Sequence, residues 1–209
     1  LKNGFVFDKA SEKKDVIELI DLIRANIVPV NLIRIGGSSD GGYLVPDDLR
    51  GVSACFSAGV GPSSDFENEL SRDYGIKCFL ADASVDGPAM ENALFEFDKL
   101  FLGSVDKGNK TTLLQWMHDK AINEDDNNLL LQMDIEGSEY EFLAEVDSNT
   151  LSKYRVIVME FHEMEKLFDR TMLKVFEAFF NKIFKNFSIA HMHPNNCSSI
   201  WEIDGVEIP

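Results

Sequence analysis

The sequence predicts an α/β fold built on a mostly parallel sheet, and three observations lead there. Short apolar runs such as 52-VSACFSAG-59, 76-IKCFLADAS-84 and 129-LLLQMD-134 alternate with segments of helical spacing, the order that places parallel strands under covering helices. Several of these runs end at glycine or an acid before the next helix begins, as loops at strand tips do. The last two apolar segments, 187-FSIAHMHPNN-196 and 199-SIWEIDGVEIP-209, are joined too closely for a crossover, so they are expected to pair antiparallel. With 209 residues, 44% of them hydrophobic, the chain can bury one sizeable core.

Element by element, residues 11–28 read as an amphipathic helix, with Val16, Leu19, Ile20 and Ile23 recurring at spacings of three and four and Ser11 as its cap. After Pro29 the stretch NLIRIGGSSDGGYLVPDD is rich in glycine and serine and reads as a loop with short extended pieces. The first strand is 52–59. A helix follows over 64–75, capped by Ser64 or Asp65 and stopped by Gly75. The second strand is 76–84; 86–94 read as helical, 95–104 as the third strand and 111–121 as a helix. The polar turn 123-NEDDNN-128 leads into the fourth strand at 129–134, a helix at 138–146 and the fifth strand at 155-RVIVMEFH-162. A long helix covers 169–185, with Met172, Val175, Phe176, Phe179, Phe180 and Ile183 on its apolar face. With the two C-terminal strands this makes seven, in one compact domain. Residues 1–50 form its N-terminal helix and glycine-rich lid, and 51–209 its main body.

Composition narrows the function. The formal net charge is -16, from 36 acidic and 20 basic side chains, which disfavours nucleic acid and anionic membranes as partners and suits a small molecule. The three cysteines, Cys55, Cys78 and Cys197, are odd in number and contain no CxxC, so neither a disulfide framework nor a structural zinc site is expected. No apolar run is long enough to span a bilayer, and the opening residues lack the apolar core of a signal peptide. A cytoplasmic location is the expectation.

In a parallel sheet ligands bind beyond the carboxyl ends of the strands. At the first tip, 57-SAGVGPSSDF-66, Gly59 and Gly61 leave backbone free to approach a ligand, and Asp82 ends the second strand, about 20 residues on, where an acid can accept from ribose hydroxyls. The third glycine of a dinucleotide fingerprint is Ser64. Pro62 removes an amide donor and Asp65 adds negative charge, so a pyrophosphate is disfavoured relative to a cofactor ending in a zwitterionic amino acid. In the lid, Asp40 could hold an ammonium group and Tyr43 could cover the cofactor. Asp134 and Glu136 stand at the fourth tip, with Gly137 turning the chain into the next helix. Glu160 and His162 stand on the fifth strand, and His191 and His193 on the one after it. This set suits either general-base work on a substrate hydroxyl or a divalent metal held by Asp134, Glu160 and His162, and spacing does not separate the two.

Taken in order, RIGGSSDGGYLV, ACFSAGVGPSSDFENEL, CFLADAS, TTLLQWM, LLLQMDIEGSEYEFL, VIVMEFH and HMHPNN resemble the FkbM-type methyltransferase family, S-adenosylmethionine-dependent enzymes that O-methylate sugars and natural products. MDIEGSEYEFL is similar to that family's K-x-D-[IV]-E-G-[AS]-E segment. The resemblance implies a Rossmann-like class I methyltransferase sandwich over 51–209 and a small hydroxylated acceptor. It implies that Gly59, Val60 and Gly61 line the methionine and ribose part of the cofactor, that Asp82 binds the ribose, and that Gly103 and Ser104 lie near the adenine. Asp134 and Glu136 would border the transfer site, with His162 and His193 as candidate bases. Gln132 departs from the family's usual Lys, and Ala81-Asp82-Ala83-Ser84 from its usual Asp-Pro. A domain that binds the cofactor without catalysis and an NAD-dependent dehydrogenase are the competing readings.

Overall fold

The computed structural model describes residues 9–38, 41–194, 200–203 and 205–208. In chain order the elements are α1 (Lys13–Ala25), β1 (Leu32–Ile35), β2 (Tyr43–Pro46), β3 (Ala54–Ala58), α2 (Asp65–Tyr74), β4 (Lys77–Ala81), β5 (Phe95–Asp98), β6 (Phe101–Leu102) and β7 (Lys110–Thr111). They continue with α3 (Leu113–Asp119), β8 (Leu129–Met133), α4 (Glu139–Glu145), α5 (Ser148–Leu151), β9 (Tyr154–Met159), a 3-10 turn (Met164–Phe168), α6 (Arg170–Ile183), β10 (Trp201–Ile203) and β11 (Val206–Ile208). They fall into two compact units, Val30–His162 and the pair of segments Leu1–Pro29 with Glu163–Pro209.

The larger unit is organised by a five-stranded sheet of order β5-β4-β3-β8-β9, parallel throughout. Every residue of β3 and β8 is buried, as central parallel strands require. The chain steps outward from β3 through β4 to β5, then returns to the other side of β3 to lay down β8 and β9. The reversal therefore falls between β3 and β8, the place where such sheets open a crevice at their carboxyl ends. Gly75 stops α2 as the sequence predicts, in the left-handed conformation that glycine adopts without penalty.

The sheet has five strands where the sequence reading counts seven, and the reasons are local. Residues 187–194 form no strand, only an isolated bridge from Ile189 to Ile27, and the terminal hairpin is instead β10 with β11, a separate two-stranded sheet closed by Gly205 at φ 74°. Residues 86–94 form bends and turns rather than a helix, in a stretch with Gly87 and Pro88 at its start. The expected third strand breaks after Asp98, and Phe101–Leu102 pair with β7 in a small ladder of their own. The segments flanking the glycine-rich stretch pair as an antiparallel hairpin, β1 with β2, and the Gly36 amide donates to Glu69 Oε2 of α2 at 2.8 Å.

The fully buried strands carry two polar residues, Ser57 and Gln132, which are register partners across β3 and β8. They satisfy one another at 2.8 Å between Ser57 Oγ and Gln132 Oε1. Ser57 also bonds Glu67 of α2, and Gln132 Nε2 reaches Tyr43 Oη at 3.4 Å. Burial pushes the Glu67 carboxyl up, and the Ser57 hydroxyl is the main influence opposing it.

In the smaller unit α1 and α6 pack together, burying Val16, Leu19 and Ile23 from one and Leu173, Phe176 and Phe180 from the other. Ser11 does not cap α1; its hydroxyl donates to the Leu167 carbonyl at 2.7 Å, while Asp169 caps α6 by accepting from Thr171 and Met172. Among the described residues no helix is long and apolar enough to cross a membrane, and Cys55 and Cys78 are free and buried.

Because the folded state raises the Glu67 pKa, its contribution to stability is full below the unfolded value and is lost as pH rises through the folded one. Glu67→Gln keeps the shape and removes the ionisation. It is expected to raise Tm at pH 7.5 by roughly 2–4 °C per kcal/mol of penalty removed, and to leave Tm at pH 4 nearly unchanged. Thermal melts across that range check this; an equal shift at both pH values would refute it.

Candidate active site

At the switch point the loop after β3 is packed against the loop after β8. Gly59 sits at φ 81°, and a Cβ there would lie 1.6 Å from the carbonyl oxygen of Asp134. Only glycine allows that approach. The Gly59 amide donates to the Ala81 carbonyl at 3.0 Å, and the Asp134 amide donates to Ala58 at 3.0 Å, so three strand tips are tied at one point. Gly61, at φ 56°, faces open space. Asp82, just beyond β4 and 6% exposed, accepts from the Gly61 amide at 3.1 Å and from the amide and hydroxyl of Ser84 at 2.7 and 2.6 Å. Burial alone would raise its pKa, but the bonds from Ser84, Gly61 and Val60 outweigh it and hold the carboxyl below its ordinary range. Asp82 is thus a fixed anion that clamps the glycine loop.

Beside this loop four carboxylates converge on His162. Its Nδ1 lies 3.0 Å from Glu139 Oε1; its Nε2 lies 3.5 Å from Glu136 Oε2, 3.7 Å from Asp134 Oδ1 and 3.9 Å from Glu160 Oε1. Glu139 opens α4 and its side chain is wholly buried. Its Oε1 also accepts from the amides of Ile135 and Gly137 at 3.1 and 3.3 Å, doing for the helix start what Ser138 does not. Oε1 already accepts from two amides, which suits Nδ1 as a third donor to it, and Nε2 faces the other three acids. The Tyr140 hydroxyl donates to the His162 carbonyl and fixes the backbone of the same residue. Burial lowers the imidazole pKa, but the charges of Glu139, Asp134 and Glu160 and the Glu139 hydrogen bond prevail and raise it. The strand does not continue through Glu136: β8 ends at Met133, and Glu136 at φ 55° and Gly137 at φ 95° turn the chain sharply. Glu136 is held in a region that costs a non-glycine residue energy, as functional sites often are.

Residues 46–187, more than half of the chain, match the family described as the methyltransferase FkbM domain. The chain belongs to the FkbM methyltransferase family. No curated protein and no solved structure gives a match.

Set on this FkbM domain, the residues predicted from sequence separate. Gly59, Val60, Gly61 and Asp82 make the loop and its clamp, and Asp134, Glu136, Glu160 and His162 make the acid–imidazole cluster. Tyr43 belongs to β2, with its ring edge-on to Phe66 at 5.4 Å and its hydroxyl toward Gln132. Asp40 lies outside the described residues. Gly103 and Ser104 are not at the third strand tip; they follow β6, and Ser104 donates to Glu141 Oε1 at 2.5 Å. That tip is Asp98, which accepts from Trp116 Nε1 at 2.9 Å and from Lys120 at 2.8 Å. His193 is in the smaller unit, on an exposed irregular segment rather than a strand, with its ring 6.1 Å from that of His191. A groove lined by Pro88, Glu91, Asn92, Phe95 and Phe97 shares no residue with loop or cluster. Gln132, where the family often has Lys, is buried and neutral between Ser57 and Tyr43.

Sequence reading missed Glu139, the most buried acid of the cluster. Its signal was present in the spacing of IEGSE, three residues after Glu136 at the first turn of a helix, where an acid reads equally well as an ordinary cap.

Gly59→Ala tests the contact that joins loop and cluster. The added methyl meets backbone, so the destabilisation is expected to exceed the roughly 1–3 kcal/mol of ordinary overpacking. Thermal unfolding against the parent measures it; an unchanged Tm would mean the two loops do not meet as described.

Proposed function

We propose that this FkbM-family chain is an S-adenosylmethionine-dependent O-methyltransferase acting on a hydroxyl of a small acceptor, carbohydrate-like or a natural product. The observation that carries this reading is the junction at Gly59 and Asp134, which sets a glycine loop with a fixed anion directly beside a cluster of acids and an imidazole.

The residues fit the cofactor. Open space beside Gly61 admits a ligand against backbone, and Asp82 stays ionised to receive ribose hydroxyls by exchanging bonds it now makes to Ser84. Pro62 and the surplus of carboxylates disfavour a pyrophosphate and suit a sulfonium cation, which argues against a nicotinamide dinucleotide. When bound, S-adenosylmethionine supplies the methyl group: the acceptor oxygen forms the new C–O bond as the C–S bond breaks, and its electron pair stays on sulfur. The protein's own work is to align the acceptor and take its proton. Asp134, Glu136 and Glu160 can hold acceptor hydroxyls by accepting hydrogen bonds, and the cluster receives the proton that the hydroxyl gives up. Alignment of this kind is worth about 7–11 kcal/mol in favourable cases. The net charge of -16 supports small-molecule partners over nucleic acid or membrane.

Calorimetric titration with S-adenosylmethionine, S-adenosylhomocysteine and NAD tests the donor: the first two are expected to bind and NAD to stay silent. Binding of NAD alone would replace the reading with a dehydrogenase, and silence toward all three would remove the enzyme claim. Asp82→Asn is expected to weaken S-adenosylmethionine binding at least tenfold with the far-ultraviolet circular dichroism unchanged. His162→Ala is expected to lower turnover on a sugar or polyol acceptor by about 10²–10⁴-fold while donor affinity survives. Unchanged turnover would remove His162 from the site.

A further inference from the structure

We propose that Glu139 is a positioning residue for methyl transfer: it holds His162 by Nδ1, so that Nε2 is presented to the acceptor hydroxyl as the atom that takes its proton. The proposal rests on the methyltransferase reading for the source of that proton, not for the state of the ring.

An acid in the first turn of a helix is ordinarily a cap and no more. Glu139 departs from that role in two ways. Its side chain is wholly buried, and its Oε1 makes a third contact, to His162 Nδ1 at 3.0 Å, 23 residues along the chain. The amides of Ile135 and Gly137 already point at this oxygen, from 3.1 and 3.3 Å. A carboxyl proton on Oε1 would meet those two hydrogens head-on. The hydrogen between Oε1 and Nδ1 therefore belongs to the ring, whether or not Glu139 is ionised. A neutral imidazole carries one such hydrogen, which leaves its lone pair on Nε2.

The other side of the ring agrees. Glu136, Asp134 and Glu160 place oxygens 3.5, 3.7 and 3.9 Å from Nε2, beyond the roughly 2.7–3.2 Å of a nitrogen–oxygen hydrogen bond. A hydrogen on Nε2 would draw one of them in. These same acids define what Glu139 prevents. The outer torsion of a histidine side chain is broad and roughly two-fold, so a ring not held at Nδ1 can turn over. It can also move its hydrogen to Nε2 and donate to any of the three acids. In either case it becomes a donor where the reaction needs an acceptor.

The first turn of α4 holds residue 162 at both ends. Glu139 takes the ring, and the hydroxyl of its neighbour Tyr140 donates to the His162 carbonyl. Through the amides of Ile135 and Gly137, the same Oε1 also fixes the sharp turn in which Glu136 sits at φ 55° and Gly137 at φ 95°. One buried oxygen thus sets the imidazole and the acids around it relative to each other. In the transfer, the acceptor's hydroxyl proton goes to Nε2 as its oxygen bonds the methyl carbon, and the electron pair of the broken C–S bond stays on sulfur. The ring, now positive, lies between Glu139 and the three acids, and it returns the proton to water.

Long-range proton–nitrogen correlation spectra of the full isotope-labelled chain test this with neither donor nor acceptor present. The chain has 4 histidines, and His162 is assigned by its loss in His162→Gln. At a pH where the ring is neutral, the parent is expected to show hydrogen on Nδ1. Glu139→Gln keeps an oxygen for the two amides but offers Nδ1 an uncharged, weaker acceptor. The Nε2–H form is then expected to become the major one, with the far-ultraviolet circular dichroism unchanged. Turnover of that variant is expected to fall about 10²–10⁴-fold with donor affinity intact, and the same change made on His162→Ala to cost less than about threefold, because Glu139 acts through the ring. A parent ring with hydrogen on Nε2 overturns the proposal even if the variant does not fold. So does a tautomer unmoved by Glu139→Gln, or an equal loss of turnover in both backgrounds. Donor titration answers separately: S-adenosylmethionine binding to a chain whose ring carries hydrogen on Nε2 leaves the methyltransferase and removes the positioning role. An Nδ1–H ring in a chain silent toward S-adenosylmethionine leaves Glu139 as the holder of the ring, and the acceptor's proton falls with the methyltransferase reading.

Discussion

Everything in the larger unit turns on one backbone contact, the Asp134 carbonyl against the α-carbon of Gly59. It occurs where the strand order reverses, between β3 and β8. A side chain at residue 59 would push β8's loop away from β3's and separate the glycine loop from the acids. Contact at zero side-chain length therefore does more than permit a turn. It makes the glycine loop and the acid–imidazole cluster a single rigid piece, held by main-chain bonds from Gly59 to Ala81 and from Asp134 to Ala58. Geometry fixed by backbone does not depend on rotamers, and that is the kind of positioning methyl transfer requires.

Electrostatics then set what this rigid piece can receive. Four carboxylates stand around one imidazole in a chain whose formal net charge is -16. An acidic setting of this kind disfavours phosphates and suits cationic groups. Asp82 and the cluster differ in how they are satisfied. Asp82 has amides and a hydroxyl on both oxygens and is stable as an anion by itself. Glu139 spends one oxygen on two amides and His162 and leaves the other bare. The first is a finished clamp; the second leans on the imidazole beside it, whose pKa it raises.

Much of this was legible in the sequence because it follows from local rules. The buried strands announced themselves as apolar runs, Gly75 as a helix stop, and the acids at 134, 136 and 160 as polar residues at strand tips. What failed did so for lack of local signal. Residues 187–194 have strand composition, yet a strand exists only by pairing, and the descriptive rule for a single segment cannot see its partner. The segment 86–94 had apolar spacing, but Gly87 and Pro88 at its start outweigh a weak periodicity. Ser104 was assigned a strand tip because the break after Asp98 has no glycine or proline to mark it. Glu139 was hidden by ambiguity, since an acid in the first turn of a helix is ordinary and its burial is a tertiary fact.

The residue pair least explained by strand rules, Ser57 and Gln132, makes sense once the loop above it is considered. Ser57 sits one residue before the end of β3 and Glu67 lies in the first turn of α2, so the bond between them spans the base of the glycine loop 58–66. A loop tied across its base loses conformational freedom before any ligand arrives, which lowers the entropy that binding must otherwise overcome. Gln132 extends the tie to β8 and, through Tyr43, to the β1–β2 hairpin. A lysine at 132 would instead place a charge under this loop and would require Glu67 to be ionised in a fully buried setting. The neutral amide lets the same support be built from hydrogen bonds alone.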